Sequence, residues 1–316
     1  MATQWLRRTW LVAAGASALL LAACGGGSVE SSFTPTRIVA FGDAMADVGQ
    51  NGTRFTVNDG SVNNWTEFVA RSYGIGVAPV SAGGSSYATG NARVAQKPDA
   101  GGNAATPTVR EQVDAFLATG APREGDLVIV NAGTSDVIVQ GHAAITGAQT
   151  QDQMIAALKV AARELAAEVQ RLVRAGASKV VVTGPLNLGR TPWGVQTDRQ
   201  LLLESGSRAF NTELLVQLVD LGESVLYIDA ERQFNLYWGN SSGYELNDPT
   251  VPVCTSVDPG PGIGTGAGQV DSSECTTATL RASDYNRYLF ADRAYPTPRG
   301  HQLFGDFAQA QLKERW

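Results

Sequence analysis

Short, wholly apolar runs alternate with amphipathic stretches along this chain. Residues 38–41, 127–130, 179–183 and 224–228 are rich in Val, Ile and Leu and show little polar alternation. Runs of that length and composition predict strands covered on both faces. Between them, apolar positions recur at helical spacing. Residues 64–73 carry Trp65, Phe68 and Val69, and residues 108–117 carry Val109, Val113, Phe116 and Leu117. Residues 151–175, 200–219 and about 299–313 follow the same period. Strands separated by helices predict a parallel sheet sandwiched between helical layers. In such sheets the functional site lies in the loops at the C-terminal ends of the strands. Here those loops are Gly42 to Ala44, the segment near Gly90, Gly133 to Asp136, and Pro185 to Pro192.

The first of these loops sits in the stretch RIVAFGDAMADVG, residues 37–49. An apolar strand climbs into a Gly-Asp turn and delivers one small residue at its top. That geometry suits a catalytic nucleophile, yet the delivered residue is Ala44, whose methyl group cannot attack anything. Other chemistries find less support. The formal charge of −6 is spread along 316 residues with no basic stripe, so nucleic acid is not expected as a partner. No cluster of His, Cys, Asp or Glu has metal-ligand spacing, and no phosphate loop or dinucleotide fingerprint occurs, so neither metal nor cofactor is expected.

The loop segments, taken in order, resemble the GDSL, or SGNH, hydrolases. FGDAMADVG is similar to the first block of that family, whose usual form is FGDS followed by D-x-G. SSYATGNARV resembles the second block, with Gly90 at the oxyanion-hole glycine. NAGTSD resembles the third, usually G-x-N-D, so Ser135 stands where Asn is expected. VVVTGPLNLGRTP resembles the segment before the last block. FADRAYPTPRGH resembles the last block, usually D-x-x-H-P-T; Asp292 matches the Asp, and Tyr295 stands where the catalytic His is expected. The resemblance runs from about residue 37 to the end. It implies a flavodoxin-like three-layer α/β/α sandwich with a central parallel sheet over 37–316, and descent from ester hydrolases.

The departures bear on chemistry. Ala44 keeps a backbone N–H for the oxyanion hole and loses the nucleophile. Gly90 can donate its N–H, and Ser135 offers a shorter donor than the Asn it replaces. A Tyr295 phenol, with an ordinary pKa of about 10, is a poor base near neutrality. Asp292 is left without an imidazole to orient. Two readings follow. One is a non-catalytic binding protein that keeps a cleft for an acyl-ester or lipid-like ligand, with Trp193, Phe234, Tyr237, Trp238 and Tyr244 either lining it or simply packing. The other is an active carboxylester hydrolase with a rebuilt site of Ser135, His301 and Asp292, where His301 is either a substitute base or a packing histidine near a helix start. His142, the only other histidine, lies in a Gly-containing stretch read as surface loop.

The N-terminus points to export. Arg7 and Arg8 precede a short apolar run ending at Cys24, the pattern of a signal peptide over 1–23. Leu21-Ala22-Ala23-Cys24 resembles the bacterial lipobox, which implies lipid on Cys24 and a flexible linker over 24–36. Gly25, by analogy with known lipoproteins, implies the outer membrane. In an oxidising compartment Cys254 and Cys275 are expected to form a disulfide stapling the Gly/Pro-rich segment between them; two free thiols are the alternative.

Overall fold

The computed structural model describes residues 33–62 and 64–316. The signal-peptide and lipobox expectations, including Cys24, fall outside the described residues. Four strands, β1 (Arg37–Gly42), β2 (Asp126–Asn131), β3 (Val180–Thr183) and β4 (Val225–Tyr227), pair in chain order and all in parallel. Every residue of β2 and β3 is buried, as expected for strands covered on both faces. The paired residues Arg37 and Asp126 close the lower end of β1 and β2 with a two-pronged ion pair, Nε to Oδ1 at 2.8 Å and Nη2 to Oδ2 at 2.5 Å.

Eight helices are described: α1 (Trp65–Ser72), α2 (Val109–Thr119), α3 (Thr134–Ile145), α4 (Gln151–Arg174), α5 (Pro192–Gln196), α6 (Gln200–Leu218), α7 (Ala230–Gly239) and α8 (Pro298–Arg315). Helix α4 packs against α2, α3 and α6, whereas α1 packs against α8 and α8 against α7. These two groups cover the opposite faces of the sheet and complete the three-layer sandwich. Trp65 of α1 and Phe234 of α7 meet on the ring of Phe304 in α8. The helix starts follow local chemistry. Thr108 and Thr150 each accept from the backbone three residues on, and Glu111 and Gln153 reciprocate, forming capping boxes.

At the outer edge of β1 an isolated bridge joins Ala40 and Ser86. The segment there, Gly83-Gly84-Ser85-Ser86, has little propensity for a full strand. Next, His142 lies on helix α3 and is half-buried, not in a surface loop. Finally, residues 33 and 36, placed in the expected linker, are tied to the folded body. The Phe33 N–H donates to the Trp316 carbonyl at 3.1 Å, and the Thr36 N–H donates to Gly125 O at 2.9 Å. The Phe33 and Trp316 rings meet edge to face, with the Lys179 ammonium 5.9 Å and 4.9 Å from their centroids.

The segment between the last two cysteines is closed twice. Cys254 and Cys275 form a disulfide, and β5 (Val257–Asp258) pairs antiparallel with β6 (Gln269–Val270). Val57, Val253 and Ala291 pack with the cystine in a small apolar cluster of their own. The loop 259–268 that emerges is folded onto the body: Ile263 is buried in the main core.

At the other end of β1 the chain must leave the sheet while keeping its polar groups paired. Gly42 has φ +142°, and a Cβ there would lie 1.9 Å from Asn131 O. The side chain of Gln112 acts as a one-residue strand: its Oε1 accepts from Gly42 N and its Nε2 donates to Gly42 O, both at 2.9 Å. Gln112→Ala would strand a buried donor and a buried acceptor, at a cost of about 2–4 kcal/mol. Urea denaturation should show the loss; a midpoint equal to wild type would mean that water or a neighbour replaces the amide.

Candidate functional site

The turn after β1 holds Ala44 to Ala46 beneath the carbonyl of Asp43, which accepts from Ala46 N at 3.0 Å and Asp47 N at 3.1 Å. The Asp43 carboxylate reaches across to α3. Its Oδ2 accepts from Thr134 N at 2.9 Å and Ser135 N at 3.4 Å, and its Oδ1 from Met45 N at 3.2 Å. Gly133, the residue before α3, has no side chain to cap the helix, so Asp43 caps it from 91 positions away. Burial pushes the Asp43 carboxyl up to about 7, against the pull of these three donors.

Asp47 holds the second loop. Its Oδ1 accepts from Gly49 N at 2.8 Å and Gln50 N at 2.7 Å, and its Oδ2 accepts from Gly90 N at 2.7 Å. Burial raises its carboxyl to about 6. The Gly90 N–H, expected above to be available to an oxyanion, is therefore already donated. The space beside it is filled as well: a Cβ on Gly90 would fall 1.9 Å from the Phe55 ring. Phe55 in turn packs edge to face on Tyr295, with centroids 5.5 Å apart.

Ala44, Gly90, Ser135, Asp292 and Tyr295 all converge here, and all are buried; Ala44 is 1% exposed and Tyr295 fully enclosed. The Tyr295 hydroxyl and Ser135 Oγ face one another, but neither completes a hydrogen bond of ordinary geometry. Burial, with Asp43 and Asp292 nearby, holds the phenol well above its usual range. Asp292 is fully occupied with structure. Its Oδ1 accepts from Ala294 N at 2.8 Å and Tyr295 N at 2.7 Å; its Oδ2 accepts from Ser272 Oγ at 2.5 Å and Ser272 N at 3.1 Å. Burial raises it to about 6.

The rebuilt set of Ser135, His301 and Asp292 does not form. Ser135 Oγ has no hydrogen-bond partner. His301 Nδ1 accepts from Trp65 N at 3.3 Å, and the imidazole also bonds the backbone of Phe55. Burial drives its pKa down to about 3. It joins α8 to α1 and to the Phe55 loop as a neutral packing residue. The aromatics offered as a cleft lining are elsewhere too. Trp193, Phe234 and Tyr237 are core residues, and Trp238 and Tyr244 pack against that core.

The loop 259–268 roofs the neighbouring segment. Asn91 Nδ2 donates to Gly262 O at 3.2 Å, and Arg293 Nη1 donates to Thr265 O at 3.3 Å. Gly264, at φ +88°, presses so close to Ala100 O that a Cβ would lie 2.4 Å away. Neither Phe55 as a plug nor this roof was legible from motifs, because both lie in the segments between the blocks. The open cavities lie elsewhere. One of about 440 Å³ lies between the roof and α3, beside His142, and another of about 910 Å³ opens near the start of α8. None of the five converging positions lines either one. Among the described residues no group of three or more His, Cys, Asp or Glu side chains could hold a metal ion.

A four-stranded parallel sheet with this order of loop blocks is the frame of an ester-hydrolase lineage, and the chain belongs to the GDSL-like lipase/acylhydrolase family, whose model matches residues 38–307. It is similar to an uncharacterised protein from the trpE-trpG intergenic region of Pseudomonas putida, at 26% identity over 315 residues, covering 88% of this chain and 49% of that protein. It is also similar to Lipase 1 of Photorhabdus luminescens, at 27% identity over 192 residues, covering 59% of this chain and 27% of that lipase. The chain thus spans about half the length of the first relative and about a quarter of the second. Two solved structures overlay with TM-scores of 0.44 and 0.43, at 12% and 14% identity, each covering 89% of this chain and nearly all of its own.

A buried, neutral His301 makes a direct prediction. Its ring resonances should stay fixed from about pH 8 to about pH 5, since the ring charges only near its lowered pKa. Nitrogen-edited NMR of the imidazoles reads this; a midpoint between about pH 5 and pH 7 would return His301 to the list of bases.

Proposed function

We propose that this chain is an exported lipoprotein of the GDSL family that has lost ester hydrolysis and serves the cell envelope as a binding protein. Lipid on Cys24 would anchor it, in the outer membrane if Gly25 is read by analogy. Its ligand would be acyl-ester or lipid-like, or bear another group that the family frame can hold without turnover. The observation that carries the loss of chemistry is the state of the nucleophile position. Ala44 offers no attacking atom, and the Gly90 N–H that would stabilise an oxyanion is spent on Asp47 beneath the Phe55 ring. Without nucleophile, base and free donor, what remains is binding and orientation, which supply only a residual fraction of a hydrolase's rate.

The test is hydrolysis of p-nitrophenyl esters from acetate to palmitate. Wild type should be indistinguishable from the uncatalysed rate. The double reversion Ala44→Ser with Tyr295→His should also be silent, because Phe55 still fills the space over Gly90. Adding Phe55→Ala should open that space and yield measurable turnover. Turnover by wild type that vanishes in Ser135→Ala or His301→Ala, with the fold intact by circular dichroism, would establish an active hydrolase and overturn this reading. The anchor is tested separately: metabolic labelling with a palmitate analogue should mark the protein and should be abolished by Cys24→Ser.

A further inference from the structure

Five of the ten residues of the roof, 259–268, are glycine. A segment of that composition gains more chain entropy on release than any other, so the body must hold it down. The hold is slight. Among the described residues the body donates two hydrogen bonds to the roof, from Asn91 to Gly262 O at 3.2 Å and from Arg293 to Thr265 O at 3.3 Å. The side chain of Ile263 plugs the core beneath. Gly260, Pro261, Gly264 and Gly266 face the other way, into the cavity of about 440 Å³ beside α3. The disulfide and the β5–β6 pair close the base of the roof, so its tip can lift into that cavity while the base stays shut.

Beneath the tip lies a cation without a paired anion. Arg293 is 7% exposed and makes no ion pair among the described residues. Burial presses its pKa below the ordinary value. Asp292, next in the chain, pulls the other way through space, but the oxygens of that carboxylate are taken by Ala294, Tyr295 and Ser272. The roof gives Arg293 only a neutral carbonyl, and its buried Nε finds no acceptor. Thr265 Oγ1, on the roof itself, is buried without a partner too. A guanidinium holds a carboxylate two-pronged along the edge that carries Nε, as Arg37 holds Asp126. In Arg293 that edge is the one with the unpartnered nitrogen.

We propose that the roof is a displaceable internal ligand, and that a short-chain aliphatic carboxylate takes its place on Arg293. The carboxylate supplies the charge that the Thr265 carbonyl lacks, and its alkyl chain fills the core site that Ile263 vacates. Hydrogen bonds between ionised partners are about twice as strong as neutral ones, which offsets the loss of the roof's contacts. The cavity beside α3 gives the lifted tip room, and its volume is that of a small-ligand pocket. The proposal rests on the reading of this chain as a binding protein and names the charged end of its ligand.

Calorimetric titration of the whole protein with hexanoate and hexanamide, together with hydrogen exchange of the roof amides, tests it. Hexanoate should bind saturably and about tenfold more tightly than hexanamide, which has the same chain and no charge. Arg293→Gln should remove that preference and leave hexanamide binding unchanged. Ile263→Ala should tighten hexanoate binding, because the competing plug is smaller; misfolding could not produce that gain. Hexanoate should speed exchange at Gly264 N, in the tip, and leave Asp271 N, bonded to Ser256 O in the base, as it was. The ester assay separates this proposal from the reading it rests on: a protein that binds hexanoate in this way and also hydrolyses esters overturns the loss of catalysis and supports the displaced roof. No saturable binding of hexanoate, equal affinity for hexanoate and hexanamide, or exchange at Gly264 that is unchanged or slowed overturns the proposal.

Discussion

Buried carboxylates that accept from backbone N–H groups hold the upper edge of this molecule together. Loops at the C-terminal ends of parallel strands leave backbone donors with no ladder partner, and a buried unpaired donor costs about 1–3 kcal/mol. Four aspartates answer that need. Asp43 serves the start of α3, Asp47 serves Gly49, Gln50 and Gly90, Asp136 accepts from Val94 N at 2.9 Å, and Asp292 serves Ala294, Tyr295 and Ser272. Each joins two loops or a loop and a helix. Burial raises all four carboxyls, and each stays in place because its donors are fixed by the chain itself.

That constraint bears on the loops where an ester hydrolase of this family would keep its donors free. An ester hydrolase needs donors that point into empty space, ready for a charge that appears only in the transition state. Here the equivalent donor on Gly90 points at a carboxylate fixed in the fold. Once Asp47 satisfies it and Phe55 covers it, nothing is gained by keeping the space open. Tyr295 follows the same logic: in place of a base it supplies a ring for Phe55 to pack on. All five positions of the locus are buried and packed like core.

The layered frame was readable from the chain because its causes are local. Runs such as 127–130 can only be covered strands, and Thr108 and Thr150 announce their helices through neighbours three residues away. The blocks around Ala44, Gly90, Ser135, Asp292 and Tyr295 were readable as positions, and they do meet in space. What could not be read is what each position does now, because its partner lies far along the chain. Helix α3 looked like loop because Gly133 and Ser135 are poor starts by themselves; its cap is Asp43. Gly90 looked free because Asp47 is 43 residues away. Phe55 and the roof over Ala100 lie between the blocks, where no period or motif marks them. The aromatics at 234–244 stayed open between cleft and packing because aromatic side chains suit both; they pack in or against the core.

The contact between Phe33 and Trp316 has a consequence for orientation. Both ends of the folded body are pinned together at the lower edge of the sheet, where β1 and β2 begin, while the Ala44 locus and the roof occupy the upper edge. Cys24 lies only nine positions before Phe33, a reach of about 30 Å when extended. Whatever is attached before Phe33 or after Trp316, whether lipid, tag or further domain, is therefore held at one pole. The Ala44 locus and the roof, at the opposite pole, lie as far from any such attachment as the folded body allows.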